Sequence, residues 1–195
     1  MLREKLKHLK IILASGSPRR QQFLKEMGLD FEVRLKSVEE VYPDDLEGSE
    51  ISDYLAELKA STFEGALLKG EILITSDTVV WHKGKSLAKA TDAEDAYKML
   101  RTMSGEWHEV ITSVCFATVD AQKTVSQKTQ VKFKELTDEE IRFYIKAFEP
   151  FDKAGAYGIQ EWIGLIGIEE IRGSYPNVVG LPTHLVYKTL LTLVA

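Results

Sequence analysis

A single cysteine in 195 residues rules out a framework of intramolecular disulfides, so the fold must rest on a packed core. That residue, Cys115, sits in a strand-like run and reads as a small core residue rather than a nucleophile. Long hydrophobic runs are missing as well, since no stretch nears the roughly 20 apolar residues that cross a bilayer, and no membrane role is expected. The first ten residues, MLREKLKHLK, lack the apolar centre of a signal peptide, which makes a cytoplasmic location the expectation. Positive charge is in deficit: 25 Lys and Arg against 30 Asp and Glu leave a net charge of -5. General nucleic-acid binding depends on many cations and is disfavoured, although a local basic cluster could still hold a small anion. The four histidines, His8, His82, His108 and His184, show no spacing that suggests a metal-binding pair and read as surface or structural residues. No repeat, low-complexity tract or long linker divides the chain, and residues 1–195 read as one domain.

What is present centres on Ile11 to Arg20, IILASGSPRR. A short apolar run, Ile11 to Ala14, reads as a buried strand that breaks into Ser15, Gly16 and Ser17 before a helix starts. Ser17 is placed to cap that helix and Pro18 suits its first position, leaving an N-terminus that favours anions. Arg19 and Arg20 add positive charge and forked donors at the same place, as a polyphosphate site requires.

Along the rest of the chain, Phe31 to Leu35 reads as a strand and SVEEVYPDDLEGSE, with Glu39 and Glu40, as a polar loop. Helical spacing returns from Ile51 to Leu68, with Lys59 at the border of its buried face. A lysine there either extends to water, the commoner case, or reaches into a neighbouring cleft. In ILITSDTVVW, Ile72 to Trp81, an apolar strand is interrupted by Thr75, Ser76, Asp77 and Thr78. Asp77 is the anomaly, because a carboxylate in a central strand is costly unless it is paired or bound to a cation. Thr91 with Glu94, and Thr137 with Glu140, read as capping boxes, and Val110–Val119 with Val125–Phe133 reads as an antiparallel hairpin. Pro182 to Val194 reads as a last amphipathic helix. Two glycine-rich stretches, Asp152 to Trp162 and Gly173 to Pro182, are too specific in composition for simple connectors.

Five of these pieces occur in order over nearly the whole chain: SGSPRR, LAELKA (Leu55 to Ala60), SDTVV (Ser76 to Val80), DKAGAYGIQ and GSYPNVVGLP. Together they resemble the Maf-like nucleoside triphosphate pyrophosphatases. The resemblance implies an α/β fold with a mixed, curved central sheet flanked by helices and two lobes around a nucleotide cleft. It implies hydrolysis of a nucleoside triphosphate between the α and β phosphates, dependence on a divalent metal, a house-cleaning role linked to cell-division arrest, and a possible homodimer. GAYGIQ, Gly155 to Gln160, is similar to the branch acting on dTTP and UTP, with Arg19, Thr78 and Gln160 at the positions tied to that choice. Three positions depart from the usual pattern: Ser76, Ala90 and Glu161, of which Glu161 adds charge and bulk beside Gln160.

On this reading the amides of the opening loop with Arg19, Arg20, Lys59 and Lys89 hold the phosphates and offset charge on the leaving pyrophosphate, Ser15 and Ser17 add hydroxyl donors, and Arg20 and Lys89 count with Asp77 as catalytic. Glu40 and Asp77 have the composition of a Mg2+ or Mn2+ site. The resemblance makes Asp77 the proton acceptor for the attacking water, and since an aspartate is a weak base at neutral pH, orienting the water is its expected main task. Arg20→Ala and Lys89→Ala are expected to lower turnover without disturbing the fold. Two alternatives stand beside this reading: a nucleotide-binding regulator of septum formation without turnover, and a pyrophosphatase for a modified purine such as 7-methyl-GTP.

Overall fold

The computed structural model describes residues 2–193, and the predicted helix end at Val194 lies outside them. Seven strands are present among the described residues: β1 (Lys10–Leu13), β2 (Phe31–Val33), β3 (Glu71–His82), β4 (Lys85–Leu87), β5 (Trp107–Ala117), β6 (Gln122–Phe133) and β7 (Ile168–Arg172). The α-helices are α1 (Leu2–Leu6), α2 (Pro18–Glu26), α3 (Ser49–Ser61), α4 (Ala93–Met103), α5 (Asp138–Phe148), α6 (Trp162–Gly167), α7 (Tyr175–Val179) and α8 (Thr183–Leu193). All seven strands join one mixed sheet in the order β2-β1-β3-β5-β6-β7, with β4 also on β3. β1 runs parallel to β2 and β3, whereas β3, β5, β6 and β7 are antiparallel neighbours. The α/β class and the mixed sheet flanked by helices are as the family resemblance implies.

The burial pattern explains why these segments form these elements. Three consecutive buried residues, Ile11 to Leu13, make β1 a strand covered on both faces. On one face, α1, α2 and α8 bring Leu6, Leu24 and Leu190 onto Ile74 and Phe116. Further along the sheet, α4, α5 and α6 bring Leu100, Tyr144 and Ile163 together with Val80, Val110 and Phe133. Ile74 and Val80 are an even number of residues apart in one strand, so these two cores lie side by side on the same face. The opposite face is covered by α3, whose Ala56 and Ala60 pack on Leu73 and Cys115. Cys115 is fully buried, as expected of a core residue.

Between the two cores β3 changes partner. Its first half pairs with β1 up to Ile74, and its last residues pair with β4 from Val80 onward. The edge from Thr75 to Val79 is left with no strand beside it.

Several boundaries differ from the sequence expectation. β2 stops at Val33 rather than Leu35 because its partner ends: Arg34 N donates to Leu13 O at 3.1 Å, and nothing remains to pair with. α3 ends at Ser61, not Leu68, where Phe63 turns into the core and Lys36 Nζ donates to the freed Thr62 carbonyl at 2.7 Å. At α4 the cap is Asp92 rather than Thr91: the Asp92 carboxylate accepts from the amides of Glu94 and Asp95 at 2.9 and 2.8 Å. Thr137 and Glu140 do form the reciprocal capping box, and β5 and β6 form the hairpin. His8 and His184 are exposed, while His82 and His108 are buried structural residues.

Candidate active site

A cleft of about 770 Å³ opens along the unpartnered edge of β3. It is lined by Ser15, Ser17, Arg19, Arg20, Glu40, Lys59, Asp77, Thr78, Lys89 and Gln160, so every residue that the sequence nominated is brought to one place. Six cationic side chains, Arg19, Arg20, Lys36, Lys59, Lys89 and Lys153, face it together with three carboxylates, Glu40, Asp77 and Asp152. A chain of net charge -5 thus concentrates positive charge in this cleft, which suits a polyanion.

The strand-to-helix turn is built as the sequence suggests. Ser17 is the N-cap of α2 with Pro18 first in the helix, and its hydroxyl accepts from Arg20 N at 3.5 Å. Ser15, which is buried, accepts from Ser17 N at 3.3 Å. The guanidinium of Arg20 then crosses to the open strand edge. Its Nη1 donates to Ser76 O at 2.9 Å and Ser15 Oγ at 3.3 Å, its Nη2 to Thr78 Oγ1 at 3.1 Å, and its Nε to Gly180 O at 2.8 Å. Burial lowers the Arg20 pKa, and the Asp77 carboxylate opposes that shift. Arg19 stays more accessible, with Nε donating to Val179 O at 3.3 Å and Nη1 lying 3.9 Å from Asp152.

On the other side of β3, Lys59 reaches into the cleft instead of outward. Its Nζ lies 2.6 Å from Asp77 Oδ1 and 3.1 Å from Glu40 Oε1. One turn of α3 and one loop thereby bring an ammonium and a second carboxylate to Asp77, a strand residue that is only 7% exposed. This pairing resolves the anomaly of a carboxylate in a central strand. Burial alone would raise the Glu40 pKa, but Lys59, with Lys89 and Arg20, outweighs it and holds Glu40 below the usual carboxylate range. Lys89 is exposed beside its backbone bridge to Ala154.

The remaining wall is the glycine-rich segment. Gly155 and Ala156 both adopt left-handed conformations, with φ of 67 and 55°, and a Cβ at Gly155 would stand 3.0 Å from Val80. The chain is thereby turned so that Gly158 and Gln160 face the cleft. GSYPNVVGLP forms the shelf for the arginines. Asn177, fully buried, donates to Val110 O at 3.0 Å and Thr129 Oγ1 at 2.9 Å, which fixes α7 and the carbonyls of Val179 and Gly180 that Arg19 and Arg20 use. Sequence reading singled out that stretch but missed Asn177, as it did Tyr144, Asp152 and Lys153; an asparagine inside an otherwise apolar PNVVG run is the signal that was there to be used.

An open mixed sheet flanked by helices, with a cation-rich cleft where its central strand changes partner, defines an α/β protein that binds a polyanionic ligand. The family described as Maf-like protein matches residues 10–193, and this chain belongs to it. Over 194 residues the chain is 59% identical to the dTTP/UTP pyrophosphatase of Flavobacterium johnsoniae, covering 100% of each. It is 53% identical over 190 residues to the dTTP/UTP pyrophosphatase of Christiangramia forsetii, covering 97% of each. With the dTTP/UTP pyrophosphatase of Bacteroides fragilis it shares 47% over 186 residues, 95% of this chain and 96% of the relative. Among solved structures, the Staphylococcus aureus Ham1 protein superposes on 64% of this chain and 71% of its own, with a TM-score of 0.48 and 17% identity.

Proposed function

We propose that this protein is a nucleoside triphosphate pyrophosphatase that hydrolyses dTTP and UTP to the monophosphate and pyrophosphate. The observation that carries the reading is the Asp77–Lys59–Glu40 group at the open edge of β3, within a cleft rich in cations. A triphosphate brings about four negative charges. Arg20, Lys59 and Lys89 offset that charge and stabilise the leaving pyrophosphate, while the hydroxyls of Ser15 and Ser17 stand at the turn where phosphate oxygens would lie. Asp77 orients the attacking water at the α phosphorus and accepts its proton as the bond to the bridging oxygen breaks. Arg19, Thr78 and Gln160 face the base, and a glutamine amide presents both a donor and an acceptor to a pyrimidine edge.

Glu40 and Asp77 fit a hard divalent cation, Mg2+ or Mn2+, because two oxygen donors already converge on one point, the Lys59 ammonium. No group of three or more His, Cys, Asp or Glu among the described residues is placed to hold a metal ion by itself, so phosphates and water complete the proposed set. Such a cation, when bound, supplies charge neutralisation and makes water more acidic. The homodimer is proposed from family resemblance, with light scattering as its check. No helix among the described residues is long and apolar enough to cross a membrane, and a cytoplasmic role in clearing surplus or damaged nucleotides completes the proposal.

The test is turnover of dTTP, UTP, CTP, ATP, GTP and 7-methyl-GTP with Mg2+ or Mn2+, scoring pyrophosphate separately from orthophosphate. Pyrophosphate from dTTP and UTP, lost in Asp77→Asn, is the expected result. Activity confined to 7-methyl-GTP would keep the reaction and overturn the base assignment, and tight binding without turnover would favour a regulator.

A further inference from the structure

Glu161 follows Gln160 directly and brings a negative charge to the wall that Gln160 lines. That charge is held away from the cleft. Its Oε2 accepts from the hydroxyl of Tyr144, and its Oε1 lies 3.1 Å from Lys153 Nζ. Tyr144 is fully buried in α5, and its hydroxyl also accepts from Gly158 N at 3.0 Å. One phenol therefore ties the backbone before Gln160 to the side chain after it. Lys153 continues the chain to Asp152 at 2.7 Å, and Asp152 lies 3.9 Å from Arg19 on the facing wall.

The packing at Gly158 shows what the clamp prevents. A point one Cβ bond from Gly158 is 3.0 Å from Glu161 Oε2 and 3.1 Å from Gln160 Nε2. Both atoms pack over that one point, so a carboxylate released from Tyr144 would have the Gln160 amide within reach of a side-chain rotation. A hydrogen bond between them would turn the amide from the cleft. A glutamine amide rotated by half a turn also offers the reverse donor and acceptor pattern, so discrimination between a uracil and a cytosine edge depends on how the amide is held. The short-range hydrogen bonds that hold this segment belong to Tyr144, Glu161 and Gly158 rather than to Gln160 itself.

We infer that Tyr144 is a positioning residue for base selection: by occupying the Glu161 carboxylate and the Gly158 amide, it keeps the Gln160 amide directed at the base. The inference rests on the pyrophosphatase reading with Gln160 at the base. Tyr144 touches no substrate atom and acts through its neighbours.

The test is steady-state kinetics with UTP and CTP on the full chain, comparing wild type, Tyr144→Phe, and Tyr144→Phe combined with Glu161→Gln. Tyr144→Phe should lower the UTP-to-CTP ratio of kcat/KM about tenfold, through a raised KM for UTP with kcat within about twofold. Removing the competing charge in the double variant should restore part of that ratio. Should Tyr144→Phe fail to fold, Glu161→Asp, one methylene shorter, breaks the same contact and carries the same expectation. A folded Tyr144→Phe with an unchanged ratio, or one that lowers kcat equally for every nucleotide, would overturn the inference. Wild-type protein that releases no pyrophosphate from any nucleotide would overturn the functional reading itself, and the inference with it.

Discussion

Arg20 carries five N–H donors and commits four of them to acceptors of its own chain, on the turn before α2, on β3 and after α7. Only one N–H and the positive charge remain for a phosphate. The expectation that Arg20→Ala would leave the fold undisturbed is therefore revised: carbonyls of Ser76 and Gly180 lose a charged donor, and the variant should lose about 3 kcal/mol of stability in denaturant titrations as well as turnover. Arg20→Lys should recover little of either, because the donors of an ammonium sit on one nitrogen and cannot span the four acceptors that the guanidinium fork reaches. Lys59 differs, since both of its partners are carboxylates of the cleft. In Lys59→Met two acidic groups lose the ammonium that lies between them, so turnover should fall at least about tenfold while Mn2+, followed by electron paramagnetic resonance, binds the free protein more tightly. Unchanged Mn2+ affinity would count against the pairing of Glu40 and Asp77 as ligands. Arg20 and Asp77 stood out as candidates from residue type and local pattern, whereas Lys59 read more readily as a solvated lysine and was nominated by the family resemblance. Their partners were not legible, because hydrogen bonds such as Arg20 to Gly180, 160 residues apart, leave no mark on sequence spacing.

Elements were legible where local energetics decides them. Ser17 with Pro18, and Thr137 with Glu140, act within one helical turn, and both caps form as read. α4 shows the limit of such reading. Thr91 and Asp92 are both good caps, and the choice falls on Asp92, while the Thr91 hydroxyl and amide both donate to the Asp95 carboxylate, at 3.4 and 3.0 Å. Asp92→Ala should cost about 1 kcal/mol and Thr91→Ala only a few tenths, as thermal unfolding would show. In α6, a Cβ at Gly164 would sit 1.8 Å from Ile159 O, so the helix can lie against the glycine-rich wall only if that position has no side chain. Gly164→Ala should cost about 3 kcal/mol or more, and any folded fraction should show a raised KM as the Gly155–Glu161 segment is pushed aside.

For the whole molecule, stability should depend on pH through His108. The ring is buried, with Nε2 2.7 Å from the Tyr157 hydroxyl, and burial, aided by nearby His82, lowers its pKa from 6.5 to about 3. Between those values the unfolded chain binds a proton that the native protein does not, so stability rises with pH across the window. The contribution is complete above about pH 6.5 and is lost by about 1.4 kcal/mol per unit on acidification towards about pH 3. Between about pH 7.5 and 5.5, wild type should lose about 1.4 kcal/mol more than His108→Gln in urea titrations; equal losses would show that His108 is not buried as a neutral ring. Composition, caps and the two apolar strands Ile11–Leu13 and Ile72–Trp81 were settled by the chain itself, since burial and helix initiation depend on residue type and near neighbours. The cleft was decided only in three dimensions. β3 exchanges β1 for β4 between Ile74 and Val80, and that switch opens the edge where Asp77 meets Lys59 from α3 and the Ser76 carbonyl meets Arg20 from α2. Strand pairing is a choice among distant segments of similar apolar character, and the free energy that selects it comes from packing shared by the whole sheet rather than from any short stretch.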